Sequence, residues 1–376
     1  MRIRIVLLLL VIHVGMFSVE KSQELIAQCC LSKEMPCCYP EGYHVPAAIH
    51  TECSWNMFAD ASFIYWYAKE SGLSLAESSV FSTGANLLPV NGRLLQQSFE
   101  YHPGFKVGLG TVYDQTWVIH AEYVRLSGST HIDREAPENR SSIPGFGVWS
   151  VEDWFQQTSN GQSLTGSSVG SKWEFDFNLI DLACSYPYYL AKDLTVTPIS
   201  GLRAIILNQH VDVSLTETAA TVGGMPNLLV DQPIHSRNHS KAWGIGPRIG
   251  CMAAHNIWCD LRAIIQSSAS LLWMDFTTLK HSEDRFSLGV PTGPFTVEQD
   301  GDHQLRPNFE IGLGLGWGAY SCEKRIHWDV AATYDFSYFW GQNAIRQMLD
   351  TYWVGMGGYG GDLYFHGLTL TAKLDF

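Results

Sequence analysis

From His366 to Phe376 the chain alternates apolar and polar side chains and stops on an aromatic. Leu368, Leu370, Ala372, Leu374 and Phe376 fall on one face of a strand; Gly367, Thr369, Thr371, Lys373 and Asp375 fall on the other. A strand has two edges, each a row of backbone donors and acceptors that need partners. With nothing after it in sequence, this strand lacks a neighbour for one edge. Closing the sheet into a barrel supplies that neighbour, and a closed barrel is the fold this feature predicts.

The same two-residue period recurs along the chain. Trp55, Met57, Ala59, Ala61, Phe63, Tyr65 and Tyr67 share one parity without a charge. Phe105, Val107, Leu109, Thr111 and Tyr113 oppose Lys106, and Trp117, Ile119, Ala121 and Tyr123 oppose His120 and Glu122. Trp173, Phe175, Phe177 and Leu179 alternate with Lys172, Glu174, Asp176 and Asn178. Leu202, Ala204 and Ile206 oppose Arg203; Trp243, Ile245, Ile249 and Cys251 oppose Arg248. Ile257 to Ile265 places Asp260 and Arg262 on its polar face, Phe309 to Ala319 places Asn308 and Glu310 there, and Ile326 to Trp340 places His327, Asp329 and Asp335.

Short links near Asp114-Gln115, Ala191–Asp193, Ala254–Asn256 and Ser321–Lys324 alternate with long links at 69–100, 127–171, 211–240, 277–303 and 342–358. That rhythm, short turns on one side and long loops on the other, is that of an outer-membrane barrel. The fold class it predicts is all-β, a transmembrane antiparallel up-and-down β-barrel of about 10 strands, with 127–171 leaving room for a further hairpin. A soluble β-sandwich explains alternation too, but its strands run to about 5–6 residues, and these are longer. Composition agrees: 13 Trp and 34 Gly, with charged residues at 16% against about 25% in ordinary soluble domains. A net charge of −13 and no basic stripe argue against nucleic acid.

Arg2 and Arg4 precede an apolar run from Ile5 to Val14, the layout of a secretory signal peptide and too short for a membrane-spanning helix. The expected organisation is a signal peptide over 1–27, a Cys-rich periplasmic segment over 28–53 and a barrel over 54–376. Nine cysteines in an exported chain point to disulfides rather than metal. Cys29, Cys30, Cys37, Cys38 and Cys53 crowd ahead of the first strand as candidates for cross-links, either between envelope proteins or between copies of the chain. His44, His50 and His102 have no ligand spacing, and no cofactor is expected. Ser150 to Thr158 has helical spacing, with Val151, Trp154 and Phe155 on one side.

Several stretches resemble the Legionella-type major outer membrane protein family, including porin-like proteins of environmental chlamydiae. They are Phe63 to Leu73, Pro103 to Gly108, Pro198 to Arg203, Gly244 to Gly250, Trp340 to Asn343 and His366 to Leu370. The resemblance implies a pore-forming outer-membrane barrel in contact with outer-membrane lipid, and brings no catalytic residues. The crowded cysteines depart from the Legionella pattern and look more like the chlamydial habit of cross-linking envelope proteins. The terminal strand, through Leu370, Ala372, Leu374 and Phe376, also resembles the signal read by the barrel-assembly machinery.

If the Trp- and Leu-bearing parities face lipid, Lys106, Arg203, Arg248 and Arg262 point into the lumen. Glu174, Asp176, Glu310, Asp329 and Asp335 then do the same. Such charges either filter small polar solutes across a transverse field or pair with one another and fill a small barrel. The expected function is diffusion of ions and small hydrophilic solutes. The alternative is a disulfide-linked envelope structural protein or an adhesin with long surface loops. An enzyme is not expected, and His-Glu-x-x-His does not occur.

Overall fold

The computed structural model describes residues 45–51, 54–81, 89–135, 149–150, 154–155, 164–216, 218–222, 225–230, 233–258, 260–287, 290–321, 324–354 and 360–376. Ten strands form the barrel: β1 (Met57–Glu70), β2 (Tyr101–Tyr113), β3 (Trp117–Glu135), β4 (Ser168–Ser185) and β5 (Leu194–Thr216), followed by β6 (Ile234–Trp258), β7 (Leu261–Ser287), β8 (Asp302–Tyr320), β9 (His327–Asn343) and β10 (Gly361–Asp375). Each pairs antiparallel with its sequence neighbours. The ring closes between β1 and β10, where Ala59 lies opposite Leu374 and Phe63 opposite Leu370. Phe376 completes the seam, its amide donating to the Met57 carbonyl at 2.8 Å and its carbonyl accepting from the Met57 amide at 3.0 Å.

Short turns gather at one end. Asp114 and Gln115 take φ of 51° and 54° in the three-residue link between β2 and β3, where the Thr116 amide donates to the Tyr113 carbonyl at 3.2 Å, a turn whose twist matches that of the strands. The turn expected at Ala254–Asn256 instead lies between Trp258 and Leu261, because the β6–β7 ladder keeps pairing through Asn256 and Arg262. A short strand, Tyr188–Ala191, pairs with the start of β5 at this end.

The opposite end differs from the expectation of bare loops. Among the described residues none of its additional strands enters the ring, and those of 127–171 add no barrel hairpin. A second, six-stranded sheet runs in the order Met225–Val230, Thr218–Val222, Leu164–Gly166, Trp149–Ser150, Ser74–Phe81, Pro89–Gln96. The 277–303 link is an extension of β7 paired with Val290–Gln299. The 342–358 link carries a helix, α1 (Ala344–Val354), whose first turn is capped by Asn343 Oδ1 accepting from the Arg346 amide at 3.1 Å. No helix is described over 150–158: Ser150 is a strand residue, Trp154 and Phe155 are non-helical, and the others lie outside the described residues.

The faces follow the expected parity on most strands. Phe63, Leu109, Leu202, Ile249, Leu313 and Leu370 all point outward and are exposed. On β4 the assignment is reversed. Trp173, Phe175, Phe177 and Leu179 are 0–3% exposed and face the interior, while Glu174 and Asp176 lie outside. The cause is strand length. A tilted strand crosses a bilayer in about 9–11 residues, whereas β4 has 18 and β7 has 27. Only the lower part of β4, with Ile180 and Leu182 half exposed, meets the apolar surroundings. Above it the outer face meets water and the inner face a dry core, so the same alternation carries opposite chemistry.

That core fills the long-loop half of the lumen. Phe177, Val211, Val213, Leu272, Phe276, Phe339, Phe365 and the inner face of α1 belong to one continuous buried cluster. The short-turn half is hollow, with charged side chains set among apolar ones.

Candidate functional site: a charged chamber in the lumen

The hollow has a volume of about 590 Å³. Its walls carry five basic side chains (Lys106, Arg203, Arg248, Arg262 and Lys373) and seven acidic ones (Asp60, Glu122, Asp181, Glu310, Asp329, Asp335 and Asp375). The strands place these residues by alternation alone, each opposite an apolar outward neighbour.

Arg203 on β5 is the centre of the arrangement and is 1% exposed. Its Nε donates to Asp181 Oδ1 at 2.7 Å and its Nη2 to Asp181 Oδ2 at 2.6 Å, the two-pronged geometry that suits a guanidinium to a carboxylate. The same group reaches across to β8, where it donates to Asn308 Oδ1 and to Glu310 at 2.7–2.8 Å. Arg248 lies against the same two acids, 3.0 Å from Asp181 and 3.2 Å from Glu310. Ser268 donates to Glu310 at 2.9 Å. Two guanidiniums and two carboxylates therefore neutralise one another within a single knot.

Three further pairs line the chamber. Lys106 donates to Asp335 at 3.3 Å, Arg262 donates to Asp329, and Lys373 donates to Asp375 at 2.6 Å while His327 lies 2.9 Å from the other Asp375 oxygen. His120 lies 2.8 Å from Asp60 across β2. Gly108 makes that contact possible, since a Cβ there would stand 2.3 Å from the His120 ring and 2.5 Å from the Asp60 carboxylate. Of the residues expected inside, Lys106, Arg203, Arg248, Arg262, Glu310, Asp329 and Asp335 are in the lumen and form these contacts. Glu174 and Asp176 are not: outside the barrel, they pair with Lys172 at 2.6 Å and Arg125 at 3.6 Å. Charges of opposite sign touch directly rather than facing each other across an open gap.

Asp181 was missed by the sequence reading although it holds two arginines. Its signal is the parity change within Leu179-Ile180-Asp181-Leu182, where the apolar residues pass from odd, inward positions to even, outward ones. Asp60, Glu122 and His120 also lacked a motif; only their position opposite outward aromatics marks them.

The chamber is roofed at its long-loop end and bordered by the segment before β1 at the other. At the long-loop end its roof is Trp66, Phe177, Phe339 and Phe365. Phe177 on β4 reaches across the lumen to Phe365 on β10, with ring centroids 4.8 Å apart, and to Phe339 on β9, at 5.4 Å. Lys106 Nζ sits 4.8 Å from the centre of the Trp66 ring, a cation–π distance. At the short-turn end Ala47, Ala48 and Ile49 line the opening. Ala47 donates to the Pro187 carbonyl and Tyr189 to the Val45 carbonyl, both at 2.9 Å. Among the described residues no group of three or more His, Cys, Asp or Glu is placed to hold a metal ion.

The family described as Legionella pneumophila major outer membrane protein precursor matches residues 50–376. The chain belongs to the Legionella major outer membrane protein family. Its place is the bacterial outer membrane, with the short turns towards the periplasm and the long extensions outside. This family member has similar solved structures as well. They include the outer membrane protease OmpT from Escherichia coli, with 11% identity, a TM-score of 0.34, and 85% of this chain and 96% of that one covered. A major outer membrane protein from Thermus thermophilus has 8% identity and a TM-score of 0.26 over 85% and 99% of the two chains. The toluene transporter TodX of P. putida has 8% identity and a TM-score of 0.21 over 85% and 89%. No curated protein sequence matches the chain.

Cys29, Cys30, Cys37, Cys38, Cys53, Cys259 and Cys322 lie outside the described residues, as does the expected signal peptide. Cys184 and Cys251 are free thiols on outward faces. Leu370, Ala372, Leu374 and Phe376 face lipid on β10.

Proposed function

We propose that this outer-membrane barrel is a porin-like channel for ions and small hydrophilic solutes, with the outer half of its lumen packed shut in the present conformation. The chamber carries this reading. Protein interiors are packed to crystal density with few voids, and this barrel builds such an interior one layer above the chamber. Barrel width therefore does not force the hollow. Buried ion pairs rarely stabilise more than well-packed apolar side chains would, so a charged chamber of this volume in the membrane zone is better explained by solute than by folding.

Planar-bilayer recording with purified protein is the test, and discrete conductance steps are the expected result. Arg248→Ala and Arg262→Ala, which remove cations facing the chamber, should shift the reversal potential in a salt gradient. Steps with unchanged reversal potentials would return these arginines to structural filler. The packed outer half of the lumen favours a second reading, a non-conducting envelope protein that presents its extended outer strands to the surroundings. Absence of steps from correctly folded protein would support that reading.

A further inference from the structure

The roof of the chamber and the one described outer segment that folds inward as a helix belong together. Phe177, Phe339 and Phe365 bridge opposite walls, β4 on one side and β9 with β10 on the other. In the same buried cluster, packed against β6, β7 and the outer ends of β9 and β10, lies the inner face of α1, with Ile345, Met348 and Leu349 at 3%, 5% and 0% exposed. The chain bends at Gly341, near the end of β9, whose φ of +63° is one that L side chains rarely adopt, and where a Cβ would stand 2.1 Å from Arg306 Nη1.

The two halves of this stopper are held differently. Each wall residue lies on a strand with ladder partners on both sides, so moving it breaks backbone hydrogen bonds. The backbone bonds of α1 are internal to the helix. Its ties to the barrel are side-chain packing and bonds such as Arg306 Nη2 donating to Gln347 Oε1 at 3.0 Å. The helix can therefore leave the mouth without opening the barrel wall.

We propose that α1 is the gate of this channel, closing it by packing into the same buried cluster as the Phe177–Phe339–Phe365 trio. Lifting α1 removes packing from this half of the lumen and frees the trio's side chains to turn out of ring contact, and apolar constrictions of this kind pass or exclude water according to small changes in width. The proposal rests on the channel reading and names its moving part.

Planar-bilayer recordings of the full-length protein test it with two changes of opposite sign. Leu349→Ala removes an apolar anchor and should raise open probability by at least about tenfold. Gln347→Cys with Arg306→Cys, bridged by a short bismaleimide, should abolish openings, while unsubstituted protein treated with the same reagent continues to open. Wild-type opening frequency in both altered proteins overturns the gate and leaves the channel reading standing. Silence of every form, with folding checked by heat-modified gel mobility, overturns the channel reading and the gate with it.

Discussion

Replacing Arg203 with Met tests whether the lumen charges are a mutually dependent knot. The guanidinium is 1% exposed and contacts Asp181, Glu310 and Asn308. Met fills much of the same volume, so the loss is mainly electrostatic. Asp181 and Glu310 are then left sharing Arg248, which is 3.0–3.2 Å from each. Removing one partner of a buried ion pair typically costs about 3–5 kcal/mol, because the remaining charge keeps its desolvation penalty. With Arg248 still in place the lower end of that range applies, about 3 kcal/mol. Arg248→Met should cost less, about 1–2 kcal/mol, since Arg203 keeps both acids and Arg248 is partly open to the chamber. Equilibrium urea unfolding in lipid vesicles, followed by tryptophan fluorescence and heat-modified gel mobility, measures both. An Arg203→Met cost below about 1 kcal/mol, or one equal to that of Arg248→Met, would refute the reasoning.

The reversed faces of β4 predict a contrast between adjacent residues. Trp173→Ala should destabilise the barrel by about 3–5 kcal/mol through a cavity in the outer core, whereas Glu174→Ala should stay within about 0.5 kcal/mol; comparable costs in the same unfolding assay would contradict the inward placement. Deleting Phe376 removes both hydrogen bonds to Met57 at the seam, so it should lower the amount of folded barrel recovered from cells while leaving the conductance of assembled protein unchanged. A normal yield would dissociate this residue from assembly.

The ring, its strand order and most of its faces were legible because alternation and turn spacing are local. Leu202 against Arg203 and Leu313 against Glu310 can be read without knowing where the membrane ends. The boundary between lipid and water is not local. Trp173-Glu174-Phe175-Asp176 has the same pattern whether its apolar side meets lipid or a dry core, and only the parity change at Ile180 distinguishes the two. The chamber was half legible. Basic and acidic inward residues could be named, but their pairing depends on which strands face each other across the lumen, as Arg203 and Glu310 do. The helix was missed for a related reason: Ala344, Ile345, Met348 and Leu349 form an apolar stripe only against a core whose existence the strand pattern did not reveal.

The length of the strands has a consequence for how the cell surface is seen. At about 3.4 Å per residue, the 27 residues of β7 amount to roughly 90 Å of chain, about three times the hydrocarbon thickness of a bilayer. Much of what an antibody or phage meets is therefore hydrogen-bonded ladder rather than free loop. Lys172, Asp212 and Arg237 lie side by side on successive strands, although 65 residues separate the first from the last. Antibodies to that surface will need the folded barrel, and sera raised against linear peptides from those segments should bind it poorly.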